Sequence, residues 1–275
     1  MTCQTALKEG KERLLSAGIE EAALDAWYLL SAASGISRAE YFTEPQRELK
    51  EEAALQYLEG IAKRERHVPL QYILGTQEFM GLEFEVSEAV LIPRQDTEIL
   101  VCEAMKAAKG ASVLDVCTGS GCIIISLAKL AGAAKAAACD LSKEALLIAE
   151  RNAKRLGVEV EFLQGDLFEP VAERYDVIVS NPPYIASAEL EELMPEVRDY
   201  EPRLALDGSG DGLVFYRRIA AEAGKYLNPG GQLFLEIGCE QAEAVSGFLR
   251  ENGYGDIRVV KDYAGLDRVV CARLA

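Results

Sequence analysis

The sequence predicts an α/β protein with a mostly parallel, Rossmann-like sheet and an antiparallel edge strand, preceded by a small N-terminal helical domain and a β-hairpin connector. Strand-like and helix-like segments alternate after residue 93, which is typical of a parallel sheet with helices on both faces. Before residue 66, apolar residues recur at helical spacing instead. With 275 residues, 49% of them hydrophobic, the chain is long enough for one large core and a small accessory domain.

The N-terminal region, residues 1–77, is predicted to be a domain of four or five short helices. Apolar residues repeat at helical spacing from residue 7 to about residue 65. The pattern is interrupted at three places, Gly18, Ser34-Gly35 and Pro45. The single histidine, His67, belongs to this region, and we interpret it as a structural residue rather than a catalytic base.

Residues 78–93 are predicted to form a β-hairpin that links the two domains. Apolar residues alternate with polar ones along this segment, which is typical of strands. The alternating residues are Phe79, Leu82, Phe84 and Val86, then Val90 and Ile92. The polar residues 87–89 separate the two groups, so we expect the turn of the hairpin there.

The C-terminal domain, residues 94–275, contains the alternating segments. Strand-like segments are predicted at 112–117, 136–140, 160–163, 176–180 and 232–237, and helix-like segments at 122–131, 143–156 and 213–227. A helix over 241–251 and two strands over 257–260 and 268–272, joined by a turn at Gly265, complete the domain. These last two strands predict an antiparallel pair at one edge of the sheet.

A glycine-containing loop follows the first strand of this domain and opens into a helix. It reads Asp115-Val116-Cys117-Thr118-Gly119-Ser120-Gly121. Its glycines allow a ligand to approach the backbone, and ligands bind at the switch point of a doubly wound sheet. The spacing does not match a dinucleotide fingerprint, because Ile124 stands where the third glycine or alanine is required. We therefore expect a nucleoside ligand, with a tight turn that binds nothing as the alternative.

Two aspartates follow the next two strands. Asp140 lies about twenty residues beyond the loop, where a carboxylate accepts hydrogen bonds from both ribose hydroxyls of an adenosine-type cofactor. A helix N-cap is the alternative role, but Ser142 fits that role better. Asp166 is a weaker candidate, for the amino group of adenine, and a solvated loop aspartate is its alternative.

The most specific motif is Ser180-Asn181-Pro182-Pro183-Tyr184, which follows a strongly apolar strand. Two consecutive prolines remove backbone donors and produce a rigid turn. The Asn181 side-chain oxygen and the Pro182 carbonyl can each accept one hydrogen of a planar NH2 group, while Tyr184 packs on the plane of that group. The motif predicts a site that aims an amide or amino nitrogen at a methyl donor. An ordinary proline turn is the alternative.

With these motifs, the sequence resembles the class I S-adenosylmethionine-dependent methyltransferases that carry an Asn-Pro-Pro-Tyr motif, and within them the release-factor glutamine methyltransferases. The resemblance extends over nearly the whole chain. Motifs outside the generic methyltransferase pattern carry it: Pro69-Leu70-Gln71-Tyr72-Ile73-Leu74-Gly75, Leu91-Ile92-Pro93-Arg94, Asp96-Thr97-Glu98, Arg151-Asn152-Ala153, Tyr200-Glu201-Pro202, Ala205-Leu206 and Asp211-Gly212-Leu213. Two residues depart from the family pattern: Cys117 stands where glycine is usual, and Gln95 where proline is usual.

The resemblance implies a catalytic domain that methylates the glutamine of the Gly-Gly-Gln loop in class 1 peptide chain release factors, and an N-terminal domain that docks this substrate. It implies S-adenosyl-L-methionine as cofactor and S-adenosyl-L-homocysteine as product. The expected cofactor-binding residues are Asp115, Cys117, Thr118, Gly119, Ser120, Gly121, Asp140, Asp166, Leu167 and Asn181. The expected catalytic residues are Asn181, Pro182 and Tyr184, which bind the glutamine together with Pro183.

The net charge and the composition limit the classes of partner that the protein is expected to bind. The formal net charge of −16 argues against a protein that holds duplex nucleic acid, because that requires clustered lysines and arginines. No apolar stretch is long enough for a membrane span, and no signal pattern begins the chain, so we expect a cytoplasmic protein. We also expect it to be a monomer. The seven cysteines lack CxxC spacing and indicate neither disulfides nor a metal site. Two functional alternatives stay open: an adenine-amino methyltransferase acting on DNA or RNA, and a non-catalytic cofactor-binding protein.

Overall fold

The structure is a computed structural model that describes the whole chain, residues 1–275. The chain forms two compact units. The first consists of Met1–Gly75 together with Met194–Tyr200, and the second of Thr76–Leu193 together with Glu201–Ala275. None of the helices combines the length and the apolar composition that crossing a bilayer requires.

The first unit is helical, as predicted. Its five N-terminal helices are α1 (Cys3–Ser16), α2 (Ala22–Ser34), α3 (Arg38–Thr43), α4 (Glu51–Arg64) and α5 (Leu70–Leu74), and the later helix α9 (Pro195–Tyr200) belongs to the same unit. Helix α1 begins earlier than the apolar pattern suggests because Thr2 caps it, accepting a hydrogen bond from the Thr5 N–H at 3.2 Å. The helices enclose a core that includes Leu30, Tyr57 and Ile61.

The β-hairpin exists, but its predicted turn and second strand were wrong. Its strands are β1 (Thr76–Phe79) and β2 (Leu82–Glu85), and the turn is Met80-Gly81, where both residues have positive φ. Residues 87–89 form a turn outside the hairpin, and Val90 and Ile92 are buried in an irregular segment. The spacing of three between Phe79 and Leu82 was the missed signal, because a two-residue turn places such residues directly opposite each other.

The second unit is built on a seven-stranded sheet. Its strands are β3 (Ser112–Val116), β4 (Lys135–Asp140), β5 (Glu161–Gln164), β6 (Tyr175–Ser180), β7 (Leu227–Glu236), β8 (Tyr254–Lys261) and β9 (Asp267–Leu274). Its helices are α6 (Gln95–Ala108), α7 (Cys122–Ser126) with a π-helical continuation (Leu127–Ala131), α8 (Lys143–Leu156), α10 (Val214–Glu222) and α11 (Ala242–Glu251). Three 3₁₀ turns complete the unit: Leu190–Glu192, Arg203–Ala205 and Ala223–Lys225. Helix α6 is the one long element that the sequence pattern did not predict.

The predicted mostly parallel sheet is confirmed. The strand order is β5-β4-β3-β6-β7-β9-β8, and all neighbours from β5 to β7 are parallel. Strand β9 is the antiparallel strand and lies one position inside the edge strand β8, since the β8–β9 hairpin folds back into the space beside β7. Buried clusters of apolar residues cover both faces of the sheet.

Candidate active site

A cleft opens at the carboxyl ends of β3, β4 and β6. Its empty volume is about 980 Å³, which includes the open mouth. The loops after these strands and after β5 line it, through residues such as Thr118, Asp140, Leu167 and Asn181. The position is the switch point of the sheet, because the chain runs outward from β3 to β4 on one side and continues at β6 on the other.

The glycine loop forms the wall of the cleft after β3. Cys117, Gly119 and Gly121 all have positive φ, at 65°, 55° and 80°. A Cβ atom at Gly121 would lie 2.9 Å from Ile125 Cδ1 and 3.1 Å from Ala149 Cβ. Gly121 therefore permits the close approach of α8, whereas Cys117 is a non-glycine residue held in a conformation that favours glycine.

Asp115 lies beneath this loop and is completely buried. The Thr118 hydroxyl donates a hydrogen bond to its Oδ2 atom at 2.6 Å, which connects the strand to the loop above it. Burial raises the pKa of Asp115 to about 7. The geometry gives this carboxyl a role in supporting the loop.

Asp140 lies on the cleft wall and is held by two backbone groups. The Gly119 N–H donates to its Oδ2 atom at 2.8 Å, and the Ser142 N–H donates to its Oδ1 atom at 2.9 Å. Ser142 is the N-cap of α8, as predicted, because its hydroxyl accepts from the Ala145 N–H at 3.1 Å. Burial raises the pKa of Asp140, and the backbone hydrogen bonds oppose that shift. A carboxylate has about four lone-pair sites, so both oxygens retain capacity for a ligand.

The loop after β5 contributes Asp166 and Leu167 to the cleft wall. Leu167 has a φ of 51°, and its carbonyl accepts a hydrogen bond from the Cys139 thiol at 3.0 Å. Asp166 is 43% exposed at its side chain and forms an ion pair with Arg218 at 3.0 Å. Leu167 is therefore a buried apolar surface of the site, and Asp166 is an exposed carboxylate at its rim.

The Asn-Pro-Pro-Tyr segment follows β6. Asn181 lies on the cleft wall, and its side-chain Nδ2 donates to the Thr97 hydroxyl at 3.4 Å. The two prolines are buried. Burial raises the pKa of Tyr184 to about 12, so its hydroxyl stays protonated at neutral pH.

A second loop holds this segment by its backbone. A Cβ atom at Gly208 would lie 2.8 Å from Tyr184 Cα, and one at Gly212 would lie 2.3 Å from the Tyr184 carbonyl oxygen. The Gln241 side chain also donates to that oxygen at 3.0 Å. The glycines of this loop thus let two stretches of backbone meet directly behind the motif.

Asn152 connects the hairpin, the glycine loop and α8. Its side-chain amide donates to the carbonyl oxygens of Glu85 and Ser120, both at 3.0 Å, and accepts from the Glu85 N–H at 2.7 Å. The side chain is fully buried, and all three bonds end on backbone atoms. This single residue therefore secures two loops against one helix.

Comparison with known proteins identifies the family of this chain. Residues 5–75 match the family model described as "PrmC N-terminal domain", and residues 95–197 match "Methyltransferase small domain". The release factor glutamine methyltransferase of Geobacter sulfurreducens is 48% identical over 263 residues, which cover 95% of this chain and 93% of that protein. That of Moorella thermoacetica is 43% identical over 279 residues, which cover 99% and 98%. The chain belongs to the release factor glutamine methyltransferase family.

Solved structures place the family fold among class I methyltransferases. A methyltransferase from Pyrococcus furiosus matches with a TM-score of 0.56 and 20% identity, covering 71% of this chain and 90% of that one. A 16S rRNA N2 G1207 methyltransferase from T. thermophilus, in complex with AdoMet and guanosine, matches with a TM-score of 0.52 and 18% identity, covering 73% and 50%. These similarities confirm the predicted fold class.

Most residues expected to form the site come together in the cleft. Those on its wall are Cys117, Thr118, Gly119, Ser120, Asp140, Asp166, Leu167, Asn181 and Pro183. Four others are not among the residues that line it: Asp115, Gly121, Pro182 and Tyr184. The ligand that each residue contacts stays a prediction.

The cleft also contains residues to which the sequence assigned no role. Arg94, Thr97 and Phe215 line it, and the carboxyl of Glu236 is buried next to Asn181 and Thr97. Arg94 and Thr97 belong to motifs of the family resemblance, which was a usable signal. Glu236 follows the apolar run Leu233-Phe234-Leu235, and a lone carboxylate at the carboxyl end of a parallel strand is a signal that could have identified it.

Proposed function

We propose that the protein transfers the methyl group of S-adenosyl-L-methionine to the side-chain amide nitrogen of the glutamine in the Gly-Gly-Gln motif of peptide chain release factors. The observation that carries this proposal is the position of Asn181, which lies on the wall of the same cleft as Asp140. A carboxylate suited to a nucleoside and an amide suited to a planar NH2 group thus border one space. The relatives named release factor glutamine methyltransferases favour glutamine over adenine as the target.

The residues of the cleft fit S-adenosylmethionine. Asp140 has acceptor capacity left for ribose hydroxyls, and Leu141, Ala145 and Leu167 offer apolar surface to an adenine ring. The carboxylates of Asp140 and Asp166 favour a ligand with positive charge. When bound, the cofactor supplies an electrophilic methyl group on a positively charged sulfur.

The residues after β6 compensate for a poor nucleophile. An amide nitrogen reacts weakly because its lone pair is delocalised into the carbonyl group. The Asn181 side-chain oxygen and the Pro182 carbonyl accept its two hydrogens, which orients the nitrogen and stabilises the positive charge that develops on it. Tyr184 packs on the plane of the amide. Neutral Tyr184 supplies no base at physiological pH. The N–C bond forms as the S–C bond breaks, and the nitrogen then releases one proton to solvent.

The proposal also assigns a role to each of the three segments of the chain. Residues 1–77 dock a class 1 release factor, residues 78–93 link the domains, and residues 94–275 perform the transfer. The protein acts as a cytoplasmic monomer without a direct nucleic-acid partner. The net charge of −16 supports a protein substrate rather than a polyanionic one.

The first experiment measures transfer of radiolabelled methyl groups from S-adenosylmethionine. The acceptors are a purified release factor, the same factor with the loop glutamine changed to alanine, DNA and RNA. Label on the wild-type factor alone supports the proposal. Label on nucleic acid assigns the protein to the adenine class, and cofactor binding without any transfer indicates the non-catalytic alternative.

Two substitutions distinguish the residue that acts on the substrate nitrogen from the residue that binds the cofactor. Asn181→Ala is expected to abolish turnover and to leave cofactor affinity within about threefold of wild type, because the residue acts on the nitrogen. Asp140→Asn is expected to raise the KM for the cofactor about tenfold or more while kcat at saturation changes less, because it replaces a charged acceptor of the ribose. Steady-state kinetics and calorimetric cofactor binding measure both. Retained turnover in Asn181→Ala contradicts the proposed role of this residue.

A further inference from the structure

A buried carboxyl group lies directly behind Asn181. Glu236 is the last residue of β7, is 1% exposed, and has an Oε2 atom without a hydrogen-bond partner. Strands β6 and β7 are parallel neighbours whose register pairs Ser180 with Leu235. Asn181 and Glu236 each follow these residues by one position, so the sheet itself brings the two side chains together.

Thr97 completes this group from helix α6. It is 3% exposed and lies on the cleft wall, where its hydroxyl accepts from Asn181 Nδ2 at 3.4 Å, at the long end of hydrogen bonding. The Thr97 hydroxyl and the Asn181 amide also interact with the Glu236 carboxyl, and both favour its ionised form. The Asn181 amide nitrogen is therefore directed towards Thr97 and Glu236.

The charge of Glu236 determines which group donates in the contacts among Glu236, Thr97 and Asn181. An ionised carboxylate only accepts hydrogen bonds, so the Thr97 hydroxyl must donate to it and has its lone pair left for Asn181 Nδ2. The Asn181 oxygen then has no competing donor behind it and faces the cleft. If the Asn181 amide were turned the other way, its NH2 group would face the NH2 group of the substrate. Two donors would then meet, and no hydrogen bond would hold the target nitrogen.

We propose that Glu236, together with Thr97, is a positioning residue that holds the Asn181 amide with its oxygen towards the target nitrogen. The inference rests on the proposed transfer to an amide nitrogen. Glu236 touches neither substrate nor methyl donor in this role and acts only through Asn181. Nothing in the motif itself selects one of the two amide orientations, which is why a residue behind it is required.

Protonation of Glu236 removes the preference for one orientation of the Asn181 amide. A neutral carboxyl group donates a hydrogen bond as well as accepting, so Thr97 can then donate to the Asn181 oxygen and the amide is free to turn. Burial is the largest influence on the pKa of Glu236 and raises it to about 7. The ionised form is the competent one, so turnover is expected to fall as the pH drops through about 7 and to level off above it.

Charged and titratable groups on the surrounding elements adjust this equilibrium. Arg268 on β9 lowers the pKa of Glu236, and Asp96 on α6 raises it. Arg268 is itself paired with Asp96 at 3.3 Å and with Asp262 at 3.1 Å. Three further titratable groups interact with Glu236 electrostatically: Cys122, Tyr184 and Tyr216. Burial raises the pKa values of all three, so they stay neutral across the range in which Glu236 titrates.

The test compares two variants that disturb the hydrogen bonding of Asn181 with one variant that preserves it. Glu236→Gln preserves shape but places an NH2 group opposite Thr97, and Thr97→Val removes the hydroxyl without changing size. Both are expected to lower kcat by about tenfold to a hundredfold, with the KM for the cofactor within about threefold of wild type. Thr97→Ser retains the hydroxyl and should keep near wild-type turnover. In Glu236→Gln, the fall of kcat below pH 7 should disappear.

A second readout does not depend on turnover. In the wild-type protein, the Asn181 side-chain amide signals in a ¹⁵N NMR spectrum should shift with pH at the same midpoint as the Glu236 carboxyl followed by ¹³C NMR. In Glu236→Gln this shift should vanish, while thermal unfolding checks that the variant is folded. An Asn181 signal that ignores the Glu236 titration, or a Glu236→Gln variant with wild-type kcat and pH profile, overturns the inference. Failure of the wild-type protein to methylate a release factor contradicts the proposed function instead, and the NMR titration still decides the role of Glu236.

Discussion

Two residues of the glycine-loop segment have unfavourable environments, one through backbone strain and the other through burial. Cys117 adopts a φ of 65° at the cleft wall, where a side chain is disfavoured, and Asp115 has a carboxyl with no exposed surface. Such features cost free energy of folding, and they concentrate at ligand sites because the surrounding structure enforces them. The loop in this protein therefore depends on the strands beneath it to keep its shape.

Substitutions at Cys117 should separate backbone strain from side-chain packing. Cys117→Val is expected to destabilise the fold by about 2 kcal/mol, because a β-branched residue tolerates positive φ poorly. Cys117→Gly should stay within about 1 kcal/mol of wild type, since relief of strain offsets the greater freedom of the unfolded chain. Urea unfolding measures both. Equal stability of the valine and glycine variants contradicts the strain argument.

The pKa of Asp115 makes stability depend on pH in a defined direction. Because burial raises the folded-state pKa to about 7, the folded state binds this proton more tightly than the unfolded chain does. The contribution of this carboxyl to the free energy of unfolding therefore decreases as the pH rises from the usual aspartate range through 7. Asp115→Asn keeps an oxygen for the Thr118 hydroxyl and loses this dependence. Its stability relative to wild type should improve from pH 5 to pH 8 in urea unfolding, and a constant difference contradicts the prediction.

Among the elements, the Asn-Pro-Pro-Tyr segment depends on a loop that follows it in the chain. The Ile185 N–H donates to the Leu206 carbonyl at 3.0 Å, and the Gly208 N–H donates to the Ile185 carbonyl at 2.8 Å. The two stretches approach so closely that a side chain at Gly212 would collide with the Tyr184 carbonyl. The motif is thus rigid because of its neighbour as well as its prolines.

Gly212→Ala is therefore expected to disturb the motif from behind. The new Cβ would lie 2.3 Å from the Tyr184 carbonyl oxygen, at a φ of 71°, so the backbone must shift. We expect a loss of about 2–3 kcal/mol in stability and a fall of at least about tenfold in kcat. The matched control is Gly210→Ala in the same loop, whose Cβ would meet nothing within 4 Å. Calorimetric unfolding and methyl transfer compare the two, and similar behaviour of both variants contradicts the argument.

On the scale of the whole molecule, the first unit is discontinuous in sequence. Residues 194–200 join a unit otherwise made from residues 1–75. Buried charges make the connection: Arg64 lies 2.7 Å from Asp25 and 3.0 Å from Glu196, and His67 lies 3.1 Å from the same glutamate. The His67 ring contacts Glu196 in this cluster, and its interpretation as a structural residue stays a prediction.

Arg64→Ala should strongly destabilise the first unit. The substitution leaves the buried Asp25 carboxylate without its partner and leaves Glu196 with His67 alone, which costs about 3–5 kcal/mol. The control is Arg13→Ala, which breaks a half-exposed pair with Glu65 at 2.6 Å and should cost at most about 1 kcal/mol. Thermal unfolding of the full chain distinguishes the two. Equal thermal unfolding midpoints for the Arg64→Ala and Arg13→Ala variants would contradict a stabilising role of the buried cluster.

The local sequence pattern determined most of the elements. Periodicity of apolar residues placed the helices and strands, since a helix or strand buries one face and repeats at its own spacing. The glycine loop, Asp140 and the Asn-Pro-Pro-Tyr motif stand at the ends of strands, and parallel strands bring their carboxyl ends to one edge. The hairpin turn was misplaced because alternation alone does not register a two-residue turn.

Only the tertiary structure decided which residues support the site. Asn181 and Glu236 are distant in the chain, and the pairing of β6 with β7 makes them neighbours. Arg64 and Glu196 meet in the same way, through a return of the chain to the first unit. Local patterns report burial and backbone preference, whereas the direction of a hydrogen bond and the pKa of a buried carboxyl depend on groups that arrive from other elements.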